Sequence, residues 1–414
     1  MIINRGSRII ANGTADAPIT FTSVSDALQD PTNPIDPEAV QQWGGIVING
    51  FGISNKCEYT GTRGVDLALV GECSIEAEGS AGDDESQYGG TNDEDSSGIL
   101  RYVVVKHTGA TVGSGDELNG ISFGGVGNGT VIENLQVYST FDDGVEMFGG
   151  SVDITNLVAL YVRDDSIDID EGYNGTITNA LVIQQEGDGN HCIESDGIGS
   201  YDSTDVAGNQ DLIDRGLNSA PTINNLTCIV SANGGGTHDP GAGWLFREGI
   251  EPIVNDAVLV SSYGANDTGA GDDNYCLGIT DDETHAAADG DTLQLNSVIY
   301  ACQENFLGTA WGAFANEQEF AEAEGNQFAT VADGTAVDAS DAADPDLTLF
   351  TGTLKIQSLP WNQLAVDAAA ADPNTTPTSG EATDILGGFG DMDWATGWTY
   401  GLDADNRGQA LWFE

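Results

Sequence analysis

Apolar positions in this chain come in short strings that end at glycine or at acidic turns, and one string recurs. Ile132-Glu133-Asn134-Leu135, Ile154-Thr155-Asn156-Leu157, Ile177-Thr178-Asn179-Ala180, Ile223-Asn224-Asn225-Leu226 and Ile253-Val254-Asn255-Asp256 share the pattern Ile-x-Asn followed by alternating apolar residues. The first three asparagines are 22 and 23 residues apart, a fitting length for one coil of a stacked solenoid, and the later gaps are 46 and 30. A second short strand follows an acidic or glycine turn in each repeat: Asn119-Gly120-Ile121, Asp142-Asp143-Gly144-Val145-Glu146, Asp164-Asp165-Ser166-Ile167-Asp168 and His191-Cys192-Ile193-Glu194. Short β-branched runs repeated in register predict an all-β chain, a right-handed parallel β-helix, rather than a sandwich.

The repeat sets the organisation. Residues 1–310 are predicted to form the β-helix, with a polar loop pushed out of one coil near 197–220 and accounting for the 46-residue gap. Beyond Trp311 the pattern fades into segments rich in Ala and Asp (332–346 and 365–372), so 311–414 is expected to be a C-terminal cap. Asn316 to Glu324 favours a helix there. Phe389, Trp394, Trp398, Tyr400 and Trp412 are expected to pack over the end of the stack. In the coils, each recurring Asn is expected to bond the backbone of the next coil and so to satisfy buried polar groups. The 56 glycines suit tight turns.

Composition narrows the function. With 39% apolar residues and no apolar run near eighteen, the chain reads as globular and outside the bilayer. Sixty-seven Asp and Glu against eleven Lys and Arg give a formal charge of -56, a field that repels nucleic acid and anionic membrane surfaces and makes folding depend on salt or bound cations. Six cysteines without C-x-x-C spacing suggest three disulfides; of the 15 connectivities, neighbour pairing (Cys57 with Cys73, Cys192 with Cys228, Cys276 with Cys302) closes modest loops. Disulfides imply an oxidising compartment, hence an extracellular or cell-surface location. Met1 to Ala11 lacks the features of a secretory signal, and the chain opens in mid-pattern, so an upstream segment is expected.

Stacking the acidic strands places Glu146, Asp168 and Glu194 in one outward column, with Asp170 and Asp196 two residues further along. The turn pairs Asp142-Asp143 and Asp164-Asp165 form a second column. Neighbouring coils lie about 4.8 Å apart, and carboxylates at that spacing repel unless a cation bridges them or one holds a proton. These nine residues are therefore the expected ligands of Ca²⁺, which takes six to eight such oxygens. Solvated turn residues are the plainer explanation of any one Asp, but not of a stacked set. Asp83-Asp84-Glu85 with Asn92-Asp93-Glu94-Asp95 is a weaker cation candidate, lacking the EF-hand spacing.

Several stretches resemble one group of proteins: Ile10-Ala11-Asn12-Gly13-Thr14-Ala15, Ala17-Pro18-Ile19-Thr20-Phe21-Thr22-Ser23, Trp43-Gly44-Gly45-Ile46-Val47-Ile48-Asn49-Gly50, Ser97 to Val103, Asp142 to Gly150 and Trp394 to Thr399. They are similar to secreted β-helix proteins of marine bacteria, which share their architecture with pectate lyases. The resemblance runs from about Arg5 to Leu402 and implies the fold, together with a signal or lipoprotein anchor before the first coil.

Two functions follow. One is a non-catalytic extracellular structural or adhesive protein, rigidified by Ca²⁺ and disulfides, that associates with itself or with a surface glycan or protein. The other is a calcium-dependent carbohydrate-active enzyme, a polysaccharide lyase or glycoside hydrolase, with Glu146, Asp168, Glu194 and Arg247 as its floor and Trp244 stacking on a sugar. Arg247 beside carboxylates is reminiscent of pectate lyases, where a cation acidifies the uronate and a basic residue takes the α proton. Pairing of Arg247 with a neighbouring carboxylate is the simpler role. His107, His191, His238 and His285 are scattered without a triad partner, and adjacent Cys192 points to the opposite face. No complete catalytic constellation is read from the residues.

Overall fold

The computed structural model describes residues 1–28, 32, 34–79, 86–113, 116–231, 241–262, 275–302, 304–328, 394–402 and 406–411. Asp83 to Glu85, His238, the segments 332–346 and 365–372, Phe389 and Trp412 lie outside them.

Two long parallel sheets run the length of the described stack. Sheet A is built of short strands in the order Ile2–Ile3, Ile46–Asn49, Ile121–Gly124, Val145–Phe148, Ile167–Asp170, His191–Asp196, Ala242–Arg247, Tyr275–Ile279 and Glu304–Phe306. Sheet B is built of longer ones: Ile9–Asn12, Gly98–Lys106, Val131–Tyr138, Ile154–Leu160, Thr176–Ile183, Thr222–Ser231, Ile253–Ser262, Gln294–Ala301 and Gln327–Phe328. Chain order alternates between the sheets, so each coil lays one strand on each, and crossovers between parallel strands wind right-handed. The chain is a right-handed parallel β-helix.

The recurring Asn explains why sheet B bends. Asn134, Asn156, Asn179 and Asn225 have φ between 56° and 63°, the left-handed region, and Asp256 and Ser297 take that place in the next coils. Pairing skips these residues: Glu133 faces Thr155 and Leu135 faces Leu157. Asn tolerates this backbone better than other non-glycine residues. The side chains do not bond the next backbone as expected. Asn156 donates to Asn134 Oδ1 (2.9 Å), Asn179 to Asn156 (2.9 Å) and Asn225 to Asn179 (3.0 Å). A primary amide is donor and acceptor at once, so identical residues in register satisfy one another. Asn255 belongs to a different ladder, one residue over, where it donates to Asn224 (2.9 Å) and accepts from Asn296 (3.0 Å).

One apolar core fills the stack. Ile121, Val145, Ile167, Ile193 and Trp244 project inward from sheet A toward Leu135, Leu157, Ala180, Leu226 and Ala257 of sheet B. Trp244 stands in register with Ile193 and Leu277 and is fully buried, so it packs in the core and is not the sugar platform expected of it. The three disulfides are those of neighbour pairing, Cys57–Cys73, Cys192–Cys228 and Cys276–Cys302. Cys192 and Cys228 are both buried, and their bond ties sheet A to sheet B through the core.

Two excursions leave the stack after sheet A strands. Residues 50–97 follow Ile46–Asn49, and 197–221 follow His191–Asp196 and contain a helix, Val206–Asp214, where a loop was expected. They pack on each other: Leu217 joins Ile53 and Tyr59 in a small core, and Arg215 donates to the Gly61 and Tyr59 carbonyls.

The helix Glu317–Ala323, capped by Asn316, buries Phe320 and Ala321 in the core against the last coils. The aromatic tail does not join it there. Trp398 meets Tyr102 edge-on at 5.7 Å and Tyr400 meets Tyr138 at 4.8 Å, so the described tail lies on the first long strands of sheet B. Gln136 fixes it by bonding both the backbone N–H and the carbonyl of Tyr400 (each 2.7 Å).

Candidate functional site

The outer face of sheet A carries the acidic columns. Alternation along a strand sends Val145 and Met147 inward, which leaves Glu146 and Phe148 outward. Register then stacks Ser122, Glu146, Asp168, Glu194 and Leu245. Two residues along, Asp170 follows Phe148, and Arg247 follows Asp196. Two residues before the inward Ile121, Val145, Ile167 and Ile193 stand Asn119, Asp143, Asp165 and His191. The Gly120 and Gly144 N–H groups donate to the Asp143 and Asp165 carbonyls and Ser166 N–H to that of His191, which keeps these turn residues in line.

The expected columns therefore exist, with one difference. None of the nine carboxylate residues is exposed: Asp143, Glu146 and Asp165 are buried and the other six are partly so. The solvated-turn explanation fails for the set. Arg247 stands one coil beyond Asp196 on this outward face, with Leu245 beyond Glu194, and its guanidinium pairs with Asp196 (2.5 Å) and Glu194 (3.1 Å), the simpler of the two roles expected of it.

Burial sets the electrostatics. It pushes the Glu146 and Asp168 carboxyls well above the usual carboxylate range, helped in Glu146 by Asp168 and in Asp168 by Glu194. Asp143, Asp165 and Asp170 are raised for the same reason, each with an acidic chain neighbour, Asp142, Asp164 or Glu171, adding to it. Glu194 is pushed up to about 8 by burial and by Asp165, even though Arg247 and His191 pull the other way. Arg247 loses some of its charge stability to burial but gains more from Asp196, so its proton is held more firmly than usual.

Four residues that sequence reasoning did not assign complete the site. His191 Nδ1 lies 3.0 Å from Asp165 Oδ1 and 3.6 Å from Glu194 Oε1, and Nε2 lies 3.0 Å from Tyr275 Oη. Ala242 occupies the coil between His191 and Tyr275, and its small side chain leaves room for that contact. Glu78 reaches in from the first excursion to share a hydrogen bond with Glu146. Asn119 donates to Glu146 and to Ser122 Oγ (3.1 Å), while its own Oδ1 is buried with no hydrogen-bond partner. His191 was readable in principle, because it stands where Asp143 and Asp165 stand in their coils.

Three groups on this face have ligand atoms within 4.8 Å of one another: Asp142, Asp143 and Asp164; Asp143, Asp165 and Asp168; and Asp165, His191 and Glu194. The first two offer only oxygen, and the orphaned Asn119 carbonyl stands at the end of the same column. That donor set fits a hard cation such as Ca²⁺. The weaker candidate around Asn92 to Asp95 is otherwise engaged. Asp93 pairs with Arg63 (2.8 Å) and caps Ile53 N–H, and Asp95 accepts from Phe51 N–H.

Beside this face sits Glu171, buried and left-handed, which accepts from Ser54 Oγ (2.6 Å), Tyr88 Oη (2.8 Å) and Lys56 Nζ (2.6 Å). All three donors belong to the first excursion, so this carboxylate pins that wall to the coil.

A family model described as a pectate-lyase like beta helix domain matches residues 1–399. No curated protein and no solved structure matches the chain. The stacked parallel coils, the Asn ladder and this match agree: the chain belongs to the family of pectate-lyase-like β-helix domains.

Proposed function

We propose that the chain is an extracellular, non-catalytic structural or adhesive β-helix whose outer sheet A face binds Ca²⁺, possession of which rigidifies the stack. The observation that carries this is a set of nine stacked carboxylate residues, three buried and six partly buried, that outnumber the positive side chains touching them. Asp142, Asp143, Glu146, Asp164, Asp165, Asp168, Asp170, Glu194 and Asp196 are the proposed ligand pool. The charge deficit on this face is what a divalent ion would relieve. The non-catalytic part is supported by the state of the bases: Arg247 is held by Asp196 and Glu194, and Lys56 by Glu171, so neither stands free to take a substrate proton. An extracellular location is supported by the three disulfides. No helix among the described residues is long and apolar enough to cross a membrane. The partners proposed are a second copy of the chain or a surface glycan or protein, not nucleic acid, which the charge repels.

One observation favours a second reading, the carbohydrate-active enzyme. Glu194, pushed up to about 8, carries a proton at neutral pH, and its register neighbour Asp168 lies one strand spacing away. A strand spacing of about 4.8 Å is close to the roughly 5 Å that separates the acid and nucleophile of retaining glycosidases. Glu146, Asp168, Glu194 and Arg247 would be its floor.

Thermal unfolding at fixed ionic strength, in EGTA and with Ca²⁺ restored, separates these readings when run beside a digest screen of neutral and acidic polysaccharides. Ca²⁺ at 100 times its dissociation constant adds about 2.7 kcal/mol of stability if it binds the native state alone. A higher melting point with no glycan cleaved supports the structural reading. An unmoved melting point removes Ca²⁺, and cleavage of any polysaccharide replaces the structural reading by the enzyme.

A further inference from the structure

The third group on sheet A differs in chemistry from the other two, because it contains a nitrogen donor. We propose that Asp165, His191 and Glu194 form a site for a borderline transition cation such as Zn²⁺, which shares Asp165 with the all-oxygen group of Asp143 and Asp168 and is distinct from that of Asp142, Asp143 and Asp164.

Three observations converge on this. The ligand atoms are already gathered: His191 Nδ1 lies 3.0 Å from Asp165 Oδ1 and 3.6 Å from Glu194 Oε1. Two ligands bound at about 2.0–2.1 Å to one tetrahedral ion stand roughly 3.3–3.4 Å apart, between those two distances. Six to eight Ca²⁺ ligands at about 2.4 Å set edges of roughly 2.8–3.4 Å, so the edges admit either ion and the nitrogen donor makes the choice.

The second observation is the ring of supporting contacts. A metal-binding imidazole is normally held by a hydrogen bond at its other nitrogen, and a ligating carboxylate by a bond at its other oxygen. Tyr275 Oη takes the Nε2 side of His191 at 3.0 Å, and Arg247 Nη2 takes Glu194 Oε2 at 3.1 Å. Each leaves the inner atom, Nδ1 or Oε1, facing the centre of the group. Asp165 differs, since the His191 backbone N–H bonds the inner oxygen Oδ1 itself at 2.6 Å.

The third is rigidity. Asp165 and His191 are buried, their backbones are bonded between adjacent coils, and the neighbouring Cys192 is bonded to Cys228. A preformed site of this kind loses little entropy on binding, and imidazole selects Zn²⁺ over Ca²⁺ by ligand type.

Isothermal titration of the purified, disulfide-intact protein with Zn²⁺ in saturating Ca²⁺ tests the site. Wild type is expected to bind one ion in excess Ca²⁺, His191→Ala to bind at least about 100-fold more weakly, and Tyr275→Phe about 10-fold more weakly through the lost supporting contact. Equal Zn²⁺ affinity in wild type and His191→Ala, or no Zn²⁺ binding by wild type, overturns the proposal. X-ray absorption of zinc-loaded wild type keeps the test open should His191→Ala not fold: one nitrogen ligand near 2.0 Å is expected, and an all-oxygen shell refutes it. The Ca²⁺ reading fails separately, through absence of Ca²⁺ binding in the same titration without zinc.

Discussion

Replacing Glu194 by Gln isolates the cost of holding charge in the outer columns. The carboxyl of Glu194 has an ordinary value of 4.5 and is pushed up to about 8 in the fold, with the Arg247 and His191 contributions already included. An acid whose folded pKa is raised binds its proton more tightly when folded. Its stabilising contribution is full below about 4.5 and is lost as pH rises through about 8, at about 1.4 kcal/mol per unit between them. Between pH 5.5 and 8.5 the loss comes to about 3 kcal/mol, which for a chain with an unfolding entropy of about 0.9 kcal/mol per degree is a fall of roughly 3–4 °C in melting point. Gln keeps the shape and cannot ionise. The assay is differential scanning calorimetry of wild type and Glu194→Gln in EGTA across that range. The variant is expected to lose less melting temperature on going to pH 8.5, by those roughly 3–4 °C, because the other raised carboxylates titrate in both proteins. Parallel pH profiles would refute the argument, since Glu194 would then be ionised without cost.

Two further outcomes test the frame that holds this face. Asn179→Ala breaks two rungs of the amide ladder at a residue with φ of 58° and should cost about 3 kcal/mol in urea unfolding, with Asn179→Gly about 1 kcal/mol milder because glycine accepts the left-handed backbone. Replacing Cys192 and Cys228 together by Ala opens a link across 36 residues and should cost about 3–4 kcal/mol by the same measurement, against no change in the register of sheet A by amide exchange.

Most of the frame was legible because a solenoid writes its geometry into a period. The Asn spacing predicts the coil, and alternation about Val145, Ile167 and Ile193 predicts which acids face outward. The disulfides follow from short loop closures. What failed did so for physical reasons. Asn255 shares the tripeptide pattern but pairs one residue out of step, and only the ladder register shows it. Trp244 is a large aromatic at an inward place, a consequence of the register that sets Ile193 before it. Burial of the acidic columns was not legible, because sequence does not say where a non-repeating excursion packs. The same holds for the tail, whose Trp398 and Tyr400 pack on Tyr102 and Tyr138 of sheet B rather than over the end of the stack.

A parallel stack repeats whatever chemistry it is given, and the two polar columns of this chain differ in whether that chemistry closes on itself. An amide both donates and accepts, so Asn134, Asn156, Asn179 and Asn225 pass hydrogen bonds from coil to coil and need nothing else. An ionised carboxylate only accepts, so a column of them cannot be satisfied from within, however regular its spacing. The chain supplies donors at the ends of such columns. Asn119 precedes Asp143 and His191 follows Asp165, while Arg247 reaches back to Glu194 from beyond the last acid of its column. Between those ends Asp143, Glu146, Asp165 and Asp168 lie close to other carboxylates, and burial first, then that proximity, raises their carboxyls. Raised carboxyls hold protons to higher pH than ordinary ones, and a bound cation is the alternative to those protons, which is why the interior of the columns is where Ca²⁺ is expected and the His191 end is where a nitrogen-preferring ion is.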